Sequence, residues 1–322
     1  MPPIIFDSSD GQDLRINMIS PWLKKRFGCK VIKLALDGGF TCPNRDGSKG
    51  YGGCLFCSES GSGDMASSLR NGSDAGAVSE ALSDQISLLS RKWPEAKYLA
   101  YFQSHTNTYA PVSELREKFE PALKHPDVLG IIIATRPDCL PDDVIDYLAE
   151  LNGKTFLWVE LGLQTTHDET ARAMNLCHNL ADYDDAVARL TARGIRVVTH
   201  LILGLPGETR EMMEQSVRYV CGGSSDESEI FGLKLHMLNV VKGSGLCETM
   251  PDYVPFDSIE EYVDLLIDMI EIIPSNITIH RISGDAPRST LVAPEWSYKK
   301  RTILNMIHNQ MRLQNTWQGK SL

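Results

Sequence analysis

Val31-Ile-Lys-Leu-Ala-Leu-Asp-Gly-Gly-Phe-Thr41-Cys-Pro-Asn-Arg-Asp-Gly-Ser-Lys-Gly-Tyr-Gly-Gly-Cys-Leu-Phe-Cys57 runs from an apolar strand straight into a glycine-rich loop that carries Cys42, Cys54 and Cys57. Three thiolates can hold three irons of a four-iron cluster and leave the fourth iron open to a second cofactor, a design unlike the closed four-ligand sites of structural zinc. The same cysteines with Cys29 or a distant histidine as fourth ligand would instead make a zinc site. Either way the loop follows a first strand, and in barrel enzymes that end of the sheet carries the active site.

Working outward from Val31–Leu36, short apolar runs alternate with helical periodicity. Strands are expected at Tyr98–Phe102, Val128–Ala134, Phe156–Leu163, Arg196–Leu203 and Ile230–Leu238, with a last one at Ile277–Ile282. Helices are expected over 79–92, 113–124, the stretch opened by Pro141, 179–193 with Gly194 as its cap, 209–221, and after the capping sequence Ser258-Ile-Glu-Glu261. Val128–Ala134 is nearly all apolar, as a strand covered on both faces should be. At least six βα units in series predict an α/β fold with a parallel sheet. A partial (β/α)6 barrel is favoured over an open doubly wound sheet because no Gly-x-Gly-x-x-Gly follows the first strand. The expected organisation is an N-terminal segment packing on the barrel (1–30), a core barrel (31–275) and a C-terminal extension (276–322).

The 322 residues are 42% hydrophobic and 23% charged, an ordinary globular composition. No apolar run is long enough to span a bilayer, and the first residues lack a signal-peptide pattern, so a cytoplasmic location is expected, with reduced cysteines and no membrane partner. A net charge of −10 argues against a protein that simply coats nucleic acid. The two ends are nevertheless basic: six Lys or Arg and no acid lie in 14–36, and seven against two acids in 281–322. Brought together, those ends could form a phosphate-binding edge.

The cysteine loop resembles that of the radical S-adenosylmethionine superfamily, in which three thiolates hold a 4Fe–4S cluster and the methionine part of S-adenosylmethionine chelates the open iron. Eleven residues separate Cys42 from Cys54, more than is common in that superfamily, and this spacing is similar to the branch containing Elp3-like proteins and the YhcC/YtqA group. Further stretches carry the likeness: Tyr101-Phe-Gln-Ser-His-Thr-Asn-Thr-Tyr109, Ala134-Thr-Arg-Pro-Asp138, Glu160-Leu-Gly-Leu-Gln-Thr165, His200-Leu-Ile-Leu-Gly-Leu-Pro-Gly-Glu208 and Gly284-Asp-Ala-Pro287. Asn175-Leu-Cys-His178 departs from the Asn-Arg-Gly-His-like stretch usual in the group and puts any role for an arginine there in doubt.

The resemblance implies reductive cleavage of S-adenosylmethionine to a 5′-deoxyadenosyl radical, with a flavodoxin- or ferredoxin-like reductant as partner. It also implies a transfer-RNA substrate, a wobble uridine whose 5-carboxymethylaminomethyl group becomes 5-aminomethyl. A small-molecule or protein substrate, or a non-catalytic zinc-stabilised RNA-binding module, are the rival readings. Cys42, Cys54 and Cys57 are the expected iron ligands. Residues two apart on a strand share a face, so Glu160 and Gln164 line one side of theirs, and a buried Glu160 needs a diol or an ammonium as partner. Phe56, Gln103, Asn107, Thr108, Glu160, Gln164 and His200 are the expected cofactor contacts. Lys234 and His236 are the candidates for anion contact or proton donation, and Arg136, Arg281 and Arg288 for substrate binding. The run from His280 through Lys299-Lys-Arg301 looks too short and basic for a core unit; its aromatics beside cations suit an unstacked base, and the alternative is a helix packed across the barrel with a charged outer face.

Overall fold

The computed structural model describes residues 14–58, 61, 75–222, 229–284 and 286–322. Part of the expected N-terminal segment (1–13) and Asp285 of the Gly284-Asp-Ala-Pro287 stretch lie outside these described residues. A short helix α1 (Ile19–Phe27) leads into β1 (Val31–Leu36), and the chain then alternates. First come α2 (Ala75–Ser90), β2 (Lys97–Phe102), α3 (Val112–Ala122), β3 (Val128–Thr135), α4 (Asp142–Lys154) and β4 (Phe156–Gln164). Then follow α5 (Asp168–Ala173), α6 (Leu180–Thr191), β5 (Arg196–Leu203), α7 (Arg210–Val220) and β6 (Gly232–Met237). After β7 (Val240–Val241) and α8 (Gly245–Thr249) come α9 (Ile259–Glu271), β8 (Thr278–Arg281), β9 (Leu291–Ala293), a 3₁₀ turn and α10 (Lys300–Leu313).

Seven strands form one sheet in the order β1-β2-β3-β4-β5-β6-β8, every neighbouring pair parallel. The sheet curls into a half barrel whose edges, β1 and β8, do not pair. Its outer face packs on the helices through the largest apolar cluster, where Leu34, Ala100, Phe102, Ile131, Ile133 and Val197 meet residues such as Phe119, Leu148 and Leu190. The alternate residues point inward. Leu99, Ile132, Trp158 and Val198 form a second cluster with Ile19 and Leu23, so α1 plugs the end of the barrel away from the cysteine loop. The main chain at Asn17 and Met18 also pairs with β8, through Ile279. The space between the two sheet edges therefore lies under α1.

The expected strands and helices form within a few residues of their predicted limits, and the differences have local causes. Capping sets two starts: Asn179 accepts from Asp182 N–H and Asp182 accepts in return, and Ser258 accepts from Glu261 N–H. Pro141 stands at the cap of α4 rather than within it, and α4 runs through Gly153 to Lys154. The segment judged too basic for a core unit continues into α10, whose Ile303, Ile307 and Met311 recur at helical spacing and are buried in the outer core cluster, with the basic residues left outside. β7 and β9 form a separate antiparallel pair that brings residues 291–293 against the chain after β6. Among the described residues no helix is long and apolar enough to cross a membrane.

Candidate active site

The cysteine loop folds back on itself by main-chain hydrogen bonds. Arg45 N–H donates to Cys42 O at 2.8 Å, Lys49 N–H to Pro43 O at 2.8 Å, Gly53 N–H to Asn44 O at 2.8 Å and Cys57 N–H to Cys54 O at 2.9 Å. These closures return the chain to its start, so the long insertion between Cys42 and Cys54 is a compact knot. Gly53 takes a φ of 81°, which favours glycine, and a Cβ on Gly50 would stand 2.9 Å from Cys177 Sγ. Two neighbouring segments clamp the loop. Leu55 N–H donates to Met174 O and Leu246 N–H to Leu55 O. Asn175 Nδ2 donates to Gly53 O at 2.8 Å and to Tyr51 O at 3.1 Å.

The three thiols face a cavity at the barrel mouth. The Cys54 thiol is pushed well above its ordinary pKa, first by the Cys57 thiol hydrogen-bonded to it, then by burial, with Cys42 adding to the effect. Three thiolates so close and so dry are unfavourable together unless a cation sits among them, which is what an iron–sulfur cluster supplies. Among the described residues no three Cys, His, Asp or Glu groups converge on one point as a single ion requires. A cluster asks less, since each thiolate meets its own iron. Cys29 precedes β1 and the cysteine loop follows it, so a whole strand separates them and Cys29 is not available as a fourth ligand.

The cavity is lined as a polar ligand would require. Phe56, Gln103, Gln164 and His200 line it, as do Lys234, His236, Arg136 and Arg281. Sequence reasoning missed Arg45, His105, Thr106, His178 and Asn239, which line it too. The buried atoms His105 Nδ1, His178 Nδ1 and His236 Nε2 have no partner, a deficit that a bound ligand can meet. His105, Gln164, Asn175 and Cys177 all take positive φ, between 55° and 73°, and cluster about this mouth. Gln164 follows a register shift between β4 and β5, and that irregularity re-aims the end of the strand. The signal for His178 lay in the Asn175-Leu-Cys-His178 departure, whose left-handed backbone turns the histidine into the cavity.

Other expected residues act at a distance from the cavity. Asn107 Nδ2 donates to the carbonyls of Phe102, Ser104 and Ala134, knitting the loop after β2. Thr108 hydrogen-bonds Thr135 and Cys139 O. Neither lines the cavity. Arg288 lies with its guanidinium 4.6 Å from the Tyr298 ring centre. Arg136 reaches the cavity wall but is spent on Asp138, at 2.9 Å through two nitrogens, and on Leu176 O and Cys177 O. Lys49 meets the same Asp138 at 2.6 Å, tying the cysteine loop to the end of β3.

Deeper in the barrel stands an ion cluster. Glu160, fully buried, accepts at Oε2 from Tyr101 OH at 2.6 Å, His200 Nε2 at 2.9 Å and Lys234 Nζ at 2.5 Å, and at Oε1 from Trp158 Nε1 at 3.0 Å. The partner expected for this carboxylate is thus the Lys234 ammonium, and no diol is needed to satisfy it. Burial alone would raise the Glu160 pKa, but Lys234 and His200 overcome that and hold it well below the usual carboxylate range. Burial pulls Lys234 down, and it lowers His200 to about 4 with Lys234 adding to the effect. His236, whose ring centre is 4.9 Å from that of His200, is held neutral by burial.

A half barrel with three thiols over a polar cavity defines a barrel enzyme with its site at the mouth, and the chain belongs to the radical S-adenosylmethionine superfamily. The family model "Radical SAM superfamily" matches residues 42–220, and "Radical_SAM C-terminal domain" matches 230–312. YtqA of Bacillus subtilis is 45% identical over 307 residues, 95% of this chain and 92% of that one. Protein YhcC of Escherichia coli is 39% identical over 289 residues, 89% of each chain. A tRNA uridine(34) acetyltransferase of Methanocaldococcus jannaschii is 25% identical over 57% of this chain and 32% of its own length. Among solved structures, the Elp3 protein of Methanocaldococcus infernus superposes with a TM-score of 0.64 at 17% identity, over 89% of this chain and 64% of that one. Methylornithine synthase does so with a TM-score of 0.52 at 12% identity, over 98% and 91%. Such structures share the fold.

Proposed function

We propose that this radical S-adenosylmethionine enzyme carries a 4Fe–4S cluster on Cys42, Cys54 and Cys57 and modifies a transfer-RNA wobble uridine, turning a 5-carboxymethylaminomethyl group into 5-aminomethyl. The observation that carries the first part is the placement of three thiols, in one main-chain-closed loop, over a mouth cavity with unpartnered buried polar atoms. When bound, the cluster and S-adenosylmethionine supply one electron and hydrogen-atom abstraction.

The chain's own residues do the rest. Gln103, Gln164, His105 and His178 offer polar contacts around the mouth, and Phe56 offers an apolar one against the adenine. Met174–Cys177 and α8 fix the cysteine loop, so the thiols do not wander. Asn107 and Thr108 hold the loop that presents Gln103 and His105. Apolar side chains of α1 and the inner barrel wall make the floor of the barrel apolar, which limits what a radical could react with there. Lys234 and Arg281 stand at the inner end of the cavity, where a substrate carboxylate would meet positive charge.

Support for a transfer-RNA substrate comes from the likeness to a tRNA uridine(34) acetyltransferase and from the basic residues around Tyr298. Two experiments test the proposal. Anaerobic reconstitution should give a brown protein that releases 5′-deoxyadenosine on reduction, and a colourless zinc protein overturns the cluster. Mass spectrometry of transfer RNA from a strain lacking the gene should show altered wobble uridines. Unchanged nucleosides overturn the RNA substrate and leave a small molecule or protein in its place.

A further inference from the structure

The open side of the half barrel has a cleft of its own. It lies between the edges of β1 and β8, with Ile19, Ser20 and Leu23 of α1 along one wall and Lys30 beside Trp93 at its lip. Its inner end is formed by Tyr101, Lys234 and Arg281. These three side chains also line the mouth cavity, so the two spaces meet there.

Two independent observations say what this cleft suits. The first is charge. The Lys33 and Lys234 ammonium groups face one carboxylate, Glu160, at 4.0 Å and 2.5 Å, while Arg281 has a partner of its own. Among the described residues, two amines thus share one carboxylate where little water reaches; burial lowers both, Lys234 to about 7, and a bound monoanion would hold both protonated. The second is a buried acceptor. Thr278 donates its hydroxyl proton to Phe231 O at 2.9 Å, so it accepts from His280 Nε2 at 2.9 Å. That leaves His280 Nδ1 with a bare lone pair, and this atom is buried without a partner on a residue only 9% exposed that lines the cleft. An unmet acceptor beside two amines that share one carboxylate suits a ligand that is both anion and donor.

We propose that this lateral cleft binds a short carboxylic acid with a hydrogen-bond donor on its α carbon. The carboxylate sits between Lys33 and Lys234, and the donor meets His280 Nδ1. The site goes beyond the reading above, since it needs neither the cluster nor the nucleoside cofactor. Its position gives a small acid a side passage to the inner end of the cavity while a large substrate covers the mouth.

Glycolate and acetate test this directly, because they share a carboxylate and differ by one hydroxyl donor. Each is titrated into the full-length protein and followed by tryptophan fluorescence, with Trp93 at the lip and Trp158 edge-on to His280 as the reporters. Glycolate should saturate, and acetate should bind about tenfold more weakly because it leaves the histidine unmet. Lys33→Met should weaken glycolate by about tenfold or more, and Lys33→Arg should restore most of it. Circular dichroism checks that each variant is folded, and the glycolate–acetate comparison on the unaltered protein stands whether or not they are. A response that does not saturate, equal affinity for the two acids, or unchanged affinity in folded Lys33→Met overturns the site.

Discussion

At the mouth, the cysteine loop is held largely by main-chain hydrogen bonds, within itself and to Met174 and Leu246, with the Asn175 side chain and the Lys49–Asp138 pair in support, and its three thiols face the cavity. In the barrel interior the reverse holds: Glu160, Lys234, Tyr101 and His200 satisfy one another through side chains, and the main chain merely places one of them on each of β2, β4, β5 and β6. The difference teaches what each region tolerates. A main-chain scaffold survives the loss of a side chain but not of the ligand it displays. A side-chain network fails when one member goes, because the others are left charged and dry.

The comparison breaks first at the cysteines. Cys42→Ala, Cys54→Ala or Cys57→Ala should each abolish 5′-deoxyadenosine release and lower bound iron, with circular dichroism and the urea midpoint nearly unchanged. Turnover surviving in any of the three defeats the ligand assignment. In the interior the expected loss is of stability. Lys234→Met strands the Glu160 carboxylate and should cost about 3–5 kcal/mol in urea unfolding, while adding Glu160→Leu should recover much of it. A double variant no more stable than the single would mean that the network is not the unit described.

Acid sharpens the contrast. His178 and His200 have folded-state pKa values near 4, against 6.5 in the unfolded chain, so between those values only the unfolded chain takes up their protons. The stability these two histidines contribute should be fully present above about pH 6.5 and fall with decreasing pH, by about 1.4 kcal/mol per pH unit for each. His236 and His280, also held well below the ordinary histidine value by burial, should steepen the fall. Urea midpoints across this range give the slope, and a flat profile removes the claim that these rings are buried neutral. The smallest effect is expected at the clamp. Asn175→Ala loses two hydrogen bonds to the cysteine loop and a residue type tolerant of positive φ, and should cost about 1–2 kcal/mol. Iron loading measured by colorimetric assay should then weaken without being abolished.

Much of this was legible in the sequence, and the reason differs by region. The strand alternation placed Glu160, His200, Lys234 and His236 on inward faces because β-strand periodicity is strict. The loop placed the cysteines because it follows a strand of known direction. The pairing of Glu160 with Lys234 was not legible, since it depends on parallel register across two strands. Asn107 and Thr108 show another limit: a loop's composition names polar residues but not which of them turn inward to tie its own backbone. The limits of α1 and α10 were not legible because each is an amphipathic helix whose burial depends on an element far away in the chain.

That distance has a consequence for synthesis. Arg15 Nη1 donates to Thr316 O at 2.9 Å, Asn17 N–H to Gln318 Oε1 at 2.8 Å and Ile279 N–H to Asn17 O at 2.7 Å. These contacts join the start of the described chain to its end, so the residues leading into α1 cannot lock into place until nearly all of the polypeptide has left the ribosome. Through most of translation the strands can assemble in order with their lower end unplugged, and the cysteine loop is already out. The cell thus has an interval in which a half-built barrel displays its thiols before the chain ends tie off the floor.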